Sequence, residues 1–389
     1  MNKFNLKVLL LLSCGHMVVD TYQGALPAIL PFLKENLGLS YTVTGAILIV
    51  ANIASSIVQP LFGFLSDRKE KAFLLPLGVF LAGAGFALVS TTQSYPLILV
   101  LVAVSGLGIA AYHPEGFKTA RFFTGDRMAT GMSVFSVGGN CGMALGPILA
   151  LSIVHYRGFS SLPWMIVLSL TFTVVIIAFR KLVAIPQTEA PVTRKDNGKR
   201  PRGTRRAFLT LVCVVIMRTW TQLGLMTYIP FYYINILKGD PVFAGRMVSL
   251  LLVGGAIGTL TGAPLADRWG HRFWLRFSML GSGLLFPLLF IAKGTMLLIV
   301  ITVLGTILIS TFSVTVVMGQ NLLPGSLGVA SGLLVGFAIG AGGIGVTLLG
   351  VIADHFGVYA ALQGIGVLPF AGFILSLMLR YPVKAPSSD

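Results

Sequence analysis

Charge is what this sequence has least of, and acidic charge above all. Of 389 residues only 12 are Asp or Glu, and charged residues of both signs make up 10%, where a water-soluble domain carries roughly a quarter. A large soluble domain is excluded. Hydrophobic residues reach 55%, and no stretch longer than roughly 35 residues lacks an apolar run of the ~20 residues that cross a bilayer. Cysteine is scarce too: Cys14, Cys141 and Cys213 each sit inside an apolar run, with no CxxC and no metal-ligand spacing, and read as small packing residues. There is no Gly-x4-Gly-Lys-Ser/Thr loop to suggest ATP. No nucleophile, base and third group stand at usable spacing, so an enzyme is not expected, and no cofactor is called for.

What charge there is, is basic and unevenly placed. The net charge of +16 collects at Lys3 and Lys7, Arg68 to Lys71, Lys118 to Arg127, Arg180 to Arg206, Arg268 to Arg276 and Arg380 to Lys384. The connections between these clusters carry only Lys34, Arg157, Lys238 and Lys293, while Arg218 and Arg246 fall inside predicted helices. Alternation of this kind is the positive-inside pattern, and it predicts a multi-pass protein of the cell (inner or plasma) membrane with both termini in the cytoplasm. The basic segments are short and lack interleaved aromatic residues, so no nucleic-acid partner is expected. Val8 to Leu12 superficially resembles a signal peptide, but no small-x-small cleavage site follows and the segment reads as the first span.

Apolar runs bounded by Pro, Gly or charge predict an all-α membrane protein of about twelve helices, at 7–33, 42–65, 72–91, 95–121, 128–155, 162–183, 207–237, 242–266, 272–292, 295–321, 327–353 and 358–380. The chain also repeats itself. Gly63-x3-Asp67-Arg68 and Gly262-x4-Asp267-Arg268 place their Asp-Arg pairs 200 positions apart, and Gly131-x2-Val134-x4-Gly139-x2-Gly142 matches Gly332-x2-Val335-x4-Gly340-x2-Gly343 at 201. Repetition at half the chain length predicts two homologous halves, 1–183 and 207–389, joined by a basic linker at 184–206. The run Gly340-x-Gly342-x2-Gly345 formally matches a dinucleotide fingerprint, but without a preceding strand it has no mechanism; small residues there let helices approach closely.

On these residues the chain resembles the major facilitator superfamily over essentially its whole length. Gly63-x3-Asp67-Arg68 resembles that family's loop motif between helices 2 and 3, and Asp267-Arg268-x-Gly270-x-Arg272 its echo between helices 8 and 9. Gly106-x-Gly108-x-Ala110 and Gly142-x3-Gly146-Pro147 resemble motifs of drug:proton antiporters, although Val102 replaces the arginine that usually opens the first. Its details are similar to the fosmidomycin-resistance branch: His16-x3-Asp20, Gln59-Pro60, His113-Pro114-Glu115, Gly138-Gly139-Asn140 and Leu323-Pro324-Gly325. The resemblance implies two pseudo-symmetric six-helix bundles that rock about a central cavity lined by helices 1, 4, 7 and 10.

A charge at the bilayer centre costs several kcal/mol, so each embedded ionisable group needs a partner or a function. Most acidic residues fall in loops or at helix ends; Asp20 and Glu115 remain. Asp20 lies about 13 residues into helix 1, roughly 20 Å along it, with His16 one turn away on the same face. Dry surroundings favour a neutral carboxyl and a nearby cation the ionised form, so a cavity alternating between wet and dry could load and release a proton here. The bland alternative is that His16 and Asp20 only orient each other. Glu115 follows Pro114 and has Lys118 at i+3 and Arg121 at i+6, so it is a proton carrier or half of an ion pair at the cytoplasmic gate; His113 titrates or simply hydrogen-bonds. A metal at His16, Asp20, His113 and Glu115 is not expected, since nothing in the sequence fixes their mutual distances.

Arg218, about 11 residues into helix 7, suits a carboxylate, phosphate or phosphonate; its alternative is a charge partner for Asp20. Gln23, Asn52, Gln59, Asn140, Tyr228, Tyr232 and Gln320 could orient a substrate or tie helices together. Gly63, Asp67, Arg68, Asp267, Arg268, Lys118 and Arg121 are read as a conformational gate. The expectation is a proton-driven exporter of a small polar or anionic drug or metabolite. It would work as a monomer, its partners being substrate, protons and the lipid bilayer. A symporter taking up a sugar or organic anion, and a non-transporting sensor, are the alternatives.

Overall fold

In lipid every backbone N–H and C=O needs a partner within the chain, so long apolar runs must coil into helices. The computed structural model describes residues 4–39, 41–68, 73–185 and 203–381, and among these the chain is helical without a strand. It opens with the 32-residue α1 (Leu6–Leu37), begun by an Asn5 side chain that accepts the Val8 N–H at 3.2 Å and ended by Gly38 in the left-handed region. Then follow α2 (Val43–Asp67), α3 (Leu74–Thr91), α4 (Tyr95–Phe122), α5 (Met128–Arg157), α6 (Phe159–Ala178), α7 (Thr204–Ile234), α8 (Phe243–Trp269), α9 (His271–Ile291) and α10 (Gly294–Leu322), all long and apolar enough to cross a membrane. The last such run, Leu327–Met378, is 52 residues long and breaks at Gly357, whose φ of 85° and ψ of 159° interrupt the helix. It therefore supplies both α11 (327–356) and α12 (358–378). Among the described residues twelve helices result, as the apolar runs predict. Of the linker expected at 184–206, residues 186–202 lie outside the described residues.

The chain packs as two units. The first comprises 1–126, 134–196 and the short segment 324–337. Within it, Gly138, Gly142 and Gly146 lay one stripe of α5 on the backbone of α1, where a Cβ would strike the carbonyl oxygens of Ser13, Met17 and Thr21 in turn. Four-residue spacing on both helices makes this contact continuous; without a hydrophobic drive between helices in lipid, such close backbone packing is what holds them. α3 and α4 meet in the same way: a Cβ on Gly108 would strike the Ala82 nitrogen, and one on Gly78 the Gly108 carbonyl.

The second unit comprises 127–133, 197–323 and 338–389. Here Gly254 and Gly258 of α8 lie against the carbonyl oxygens of Thr302 and Thr306 in α10, and Gly305 of α10 lies against Leu251. Its core draws Leu225 and Ile229 from α7, Leu251 from α8, Phe286 from α9, Leu304 from α10 and Ile365 from α12.

Candidate functional site

Asp20 sits in the middle of α1, 7% exposed, and both its oxygens are engaged. Oδ2 lies 3.2 Å from Nε2 of His16, one turn earlier, and Oδ1 lies 3.0 Å from Nε2 of His113 on α4. Each imidazole is held from behind. His16 Nδ1–H donates to the Phe135 carbonyl at 3.0 Å, with the Phe135 ring stacked on the imidazole at 4.5 Å. His113 Nδ1 is 3.0 Å from Gln59 Nε2, and that amide also donates to the Ser55 carbonyl at 2.7 Å. Ser55 belongs to a π-helical turn, Ile53–Ile57, that widens α2 immediately before Gln59. Above the pair lies Gly139 of α5, whose Cβ would strike His16 Nε2 and Asp20 Oδ2. His16, Asp20, His113 and Gln59 are thus brought together; Gly139, marked in the sequence by the repeat and by Gly138-Gly139-Asn140, was not expected at the site.

The three ligand-type atoms of His16, Asp20 and His113 lie within 4.8 Å of one another, a spacing a metal could use. The hydrogen bonds argue otherwise. Gln59 donates to His113 Nδ1, which leaves the hydrogen of a neutral ring on Nε2, where a metal needs a lone pair.

Glu115 stands apart from this cluster. Its Oε2 accepts from Ser66 Oγ and pairs with Lys118 Nζ at 3.2 Å, while Lys118 also donates to the Ser66 carbonyl at 2.8 Å. The two repeated aspartates do matching work, each within its own unit. Asp67 accepts the N–H groups of Gly328 and Val329 at 2.8 and 2.9 Å, at the start of α11, with Gly63 closing on the Gly328 carbonyl. Asp267 accepts the N–H groups of Ala129 and Thr130 at 3.0 and 2.8 Å, at the start of α5, together with the Thr130 hydroxyl at 2.8 Å. His271 Nε2 lies 3.1 Å from the same carboxylate. Each aspartate therefore caps a helix from the other half of the sequence, where orphan N–H groups and the helix dipole favour an anion. Arg268 is exposed and Arg121 half-buried; the Arg68 side chain lies outside what is described.

In the second unit Arg218 is 3% exposed. One guanidinium nitrogen donates to Thr315 Oγ1 at 3.2 Å, the group lies 5.4 Å from the Phe312 ring centre, and Nε has no hydrogen-bond partner. No carboxylate among the described residues lies within ion-pair distance of it. Tyr228 donates to the Val346 carbonyl at 2.7 Å, Tyr232 packs against Tyr359, and Gln320 is fully buried. Gln23 is half-buried, whereas Asn52 and Asn140 are exposed.

A twelve-helix chain with repeated Asp-Arg helix ends and a buried, paired acid in its first helix has the build of a membrane transporter. The family model of the Major Facilitator Superfamily matches residues 12–342, and the chain belongs to that family. It is 30% identical over 373 residues to the fosmidomycin resistance protein of Escherichia coli (strain K12), covering 93% of this chain and 90% of that one. It is 31% identical over 380 residues to the uncharacterized MFS-type transporter YfnC of Bacillus subtilis (strain 168), covering 95% and 92%. Among solved structures the transporter FucP in its outward conformation matches with a TM-score of 0.74 at 18% identity, covering 97% of this chain and 99% of that one.

Proposed function

We propose that this transporter is a proton-coupled exporter of a small polar or anionic drug or metabolite. The observation that carries the reading is Asp20, a carboxylate enclosed in the membrane-spanning region and gripped by two imidazoles. An ionisable group at that depth is costly, and a carboxyl beside an imidazole has both a proton to take and a group to share it with. Arg218 supports the anionic side of the reading: a buried guanidinium with an unpartnered Nε and, among the described residues, no carboxylate within ion-pair distance suits an oxyanion. The 30% identity to a fosmidomycin resistance protein favours export and makes fosmidomycin the first compound to test. Glu115 and Lys118, already satisfying each other, fit the gate better than proton carriage, and the caps at Asp67 and Asp267 fit elements that form and break as the transporter changes state.

The test is pH-gradient-driven flux of fosmidomycin in proteoliposomes. Wild type should transport, and both Asp20→Asn and Arg218→Ala should lose at least nine-tenths of the driven flux, with binding lost only in Arg218→Ala. Binding lost in Asp20→Asn and kept in Arg218→Ala would exchange the two roles. Flux that runs with the proton would make the protein a symporter, and no wild-type flux would remove fosmidomycin as cargo.

A further inference from the structure

We infer that the site holds one exchangeable proton, shared between His16 Nε2 and Asp20 Oδ2, and that Gln59 fixes it there by keeping His113 neutral. The use of that proton in transport rests on the reading above; its position is read from hydrogen-bond geometry.

The count begins at Gln59. Its Nε2 is 2.7 Å from the Ser55 carbonyl, so the amide cannot be reversed without setting its oxygen against another acceptor. The same Nε2 is 3.0 Å from His113 Nδ1, which must therefore be bare. The one hydrogen of neutral His113 then lies on Nε2 and is donated to Asp20 Oδ1 at 3.0 Å. A second proton on this ring would force N–H against N–H. His113 is a fixed donor, not a proton carrier.

His16 is built the other way round. Its Nδ1 faces the Phe135 carbonyl at 3.0 Å, a group that only accepts, so Nδ1 carries a hydrogen. Nε2 then meets Asp20 Oδ2 at 3.2 Å. Without a further proton this contact sets a lone pair against a lone pair. One proton makes it a bond, whether written as imidazolium and carboxylate or as imidazole and carboxylic acid. Among the described residues no second hydrogen-bonded place for a proton is found in the cluster. The facing groups leave this count unchanged: from α4, Tyr112, whose hydroxyl donates to the Leu12 carbonyl at 2.7 Å, and Phe117; from α5, Phe135 and the bare Gly139; from α2, Gln59 through His113. Among the described residues no other charged side chain is within hydrogen-bonding distance of the pair. Loss of the proton turns the His16–Asp20 contact repulsive, so proton release and separation of these two side chains on α1 become one event.

The experiment is 15N NMR of the full-length protein, labelled at its 5 histidines and held in lipid nanodiscs, titrated with pH; His16→Gln and His113→Gln assign the two rings. The His16 ring should keep hydrogen on Nδ1 throughout and change only at Nε2, while His113 should keep a bare Nδ1 and a protonated Nε2 at every pH where the protein is folded. Gln59→Leu should release this restraint, so that His113 Nδ1 becomes protonated at low pH. A doubly protonated His113 in wild type, or a bare Nδ1 on His16, overturns the inference, and the wild-type spectrum decides alone where Gln59→Leu does not fold. Flux measured on the same preparation separates the two claims. The expected spectrum without driven flux removes the exporter and leaves the proton in place; the reverse removes only the proton's position.

Discussion

Gly139 is the residue on which the chemistry of this protein is most exposed to a small change. A methyl group there would meet both atoms that face each other between His16 and Asp20, so Gly139→Ala should cut driven flux more than tenfold. At Gly343 a Cβ meets nothing within 4 Å, and Gly343→Ala should keep flux within about twofold; comparing the two in one proteoliposome assay checks this, and equal losses would show that helix packing in general is at issue. Half of this site was legible in the sequence. His16 and Asp20 announce themselves by i,i+4 spacing on one helix, as Glu115 and Lys118 do at i,i+3. His113, Gln59 and Gly139 reach the acid from three other helices, and no local spacing encodes a contact made by packing at 93 residues' separation. The direction of the Gln59 amide was further out of reach, since it is set by the Ser55 carbonyl within the π-helical turn Ile53–Ile57.

At the scale of the element, the two repeated aspartates belong to helix ends other than their own. Their repetition was plain from sequence, but the partners they share are backbone N–H groups, which every residue except proline carries and no sequence pattern marks. Loss of a capping side chain costs roughly 0.5–2 kcal/mol. Asp267 holds two N–H groups, a hydroxyl and an imidazole, whereas Asp67 holds two N–H groups. Asp267→Ala should therefore lower the thermal midpoint of the purified protein further than Asp67→Ala, read by differential scanning fluorimetry; a larger loss at Asp67 would mean that the caps are not what the aspartates contribute.

At the scale of the whole molecule, the twelve helices follow from apolar length, because lipid allows a spanning chain few other structures. Between α11 and α12 the helix runs on for 52 residues and is interrupted at Gly357, with its positive φ, close to the boundary the sequence predicts. The Lys and Arg bias predicts that both termini are cytoplasmic. A reporter active only in the cytoplasm should work at either end, and silence at one end would give an odd number of crossings.

Coupled to transport as proposed above, one proton between His16 and Asp20 would also set a thermodynamic ceiling. Each charge crossing 100 mV releases about 2.3 kcal/mol, and each pH unit about 1.4 kcal/mol. Exchanged one for one against a neutral cargo across 100 mV and one pH unit, that proton sustains a concentration ratio of roughly 500-fold. For a monoanion leaving the cell the membrane potential acts twice, and the ratio rises to roughly 20,000-fold. A transporter limited to one proton thus clears an anion far more completely than a neutral molecule of the same size, with no difference in how tightly it binds either.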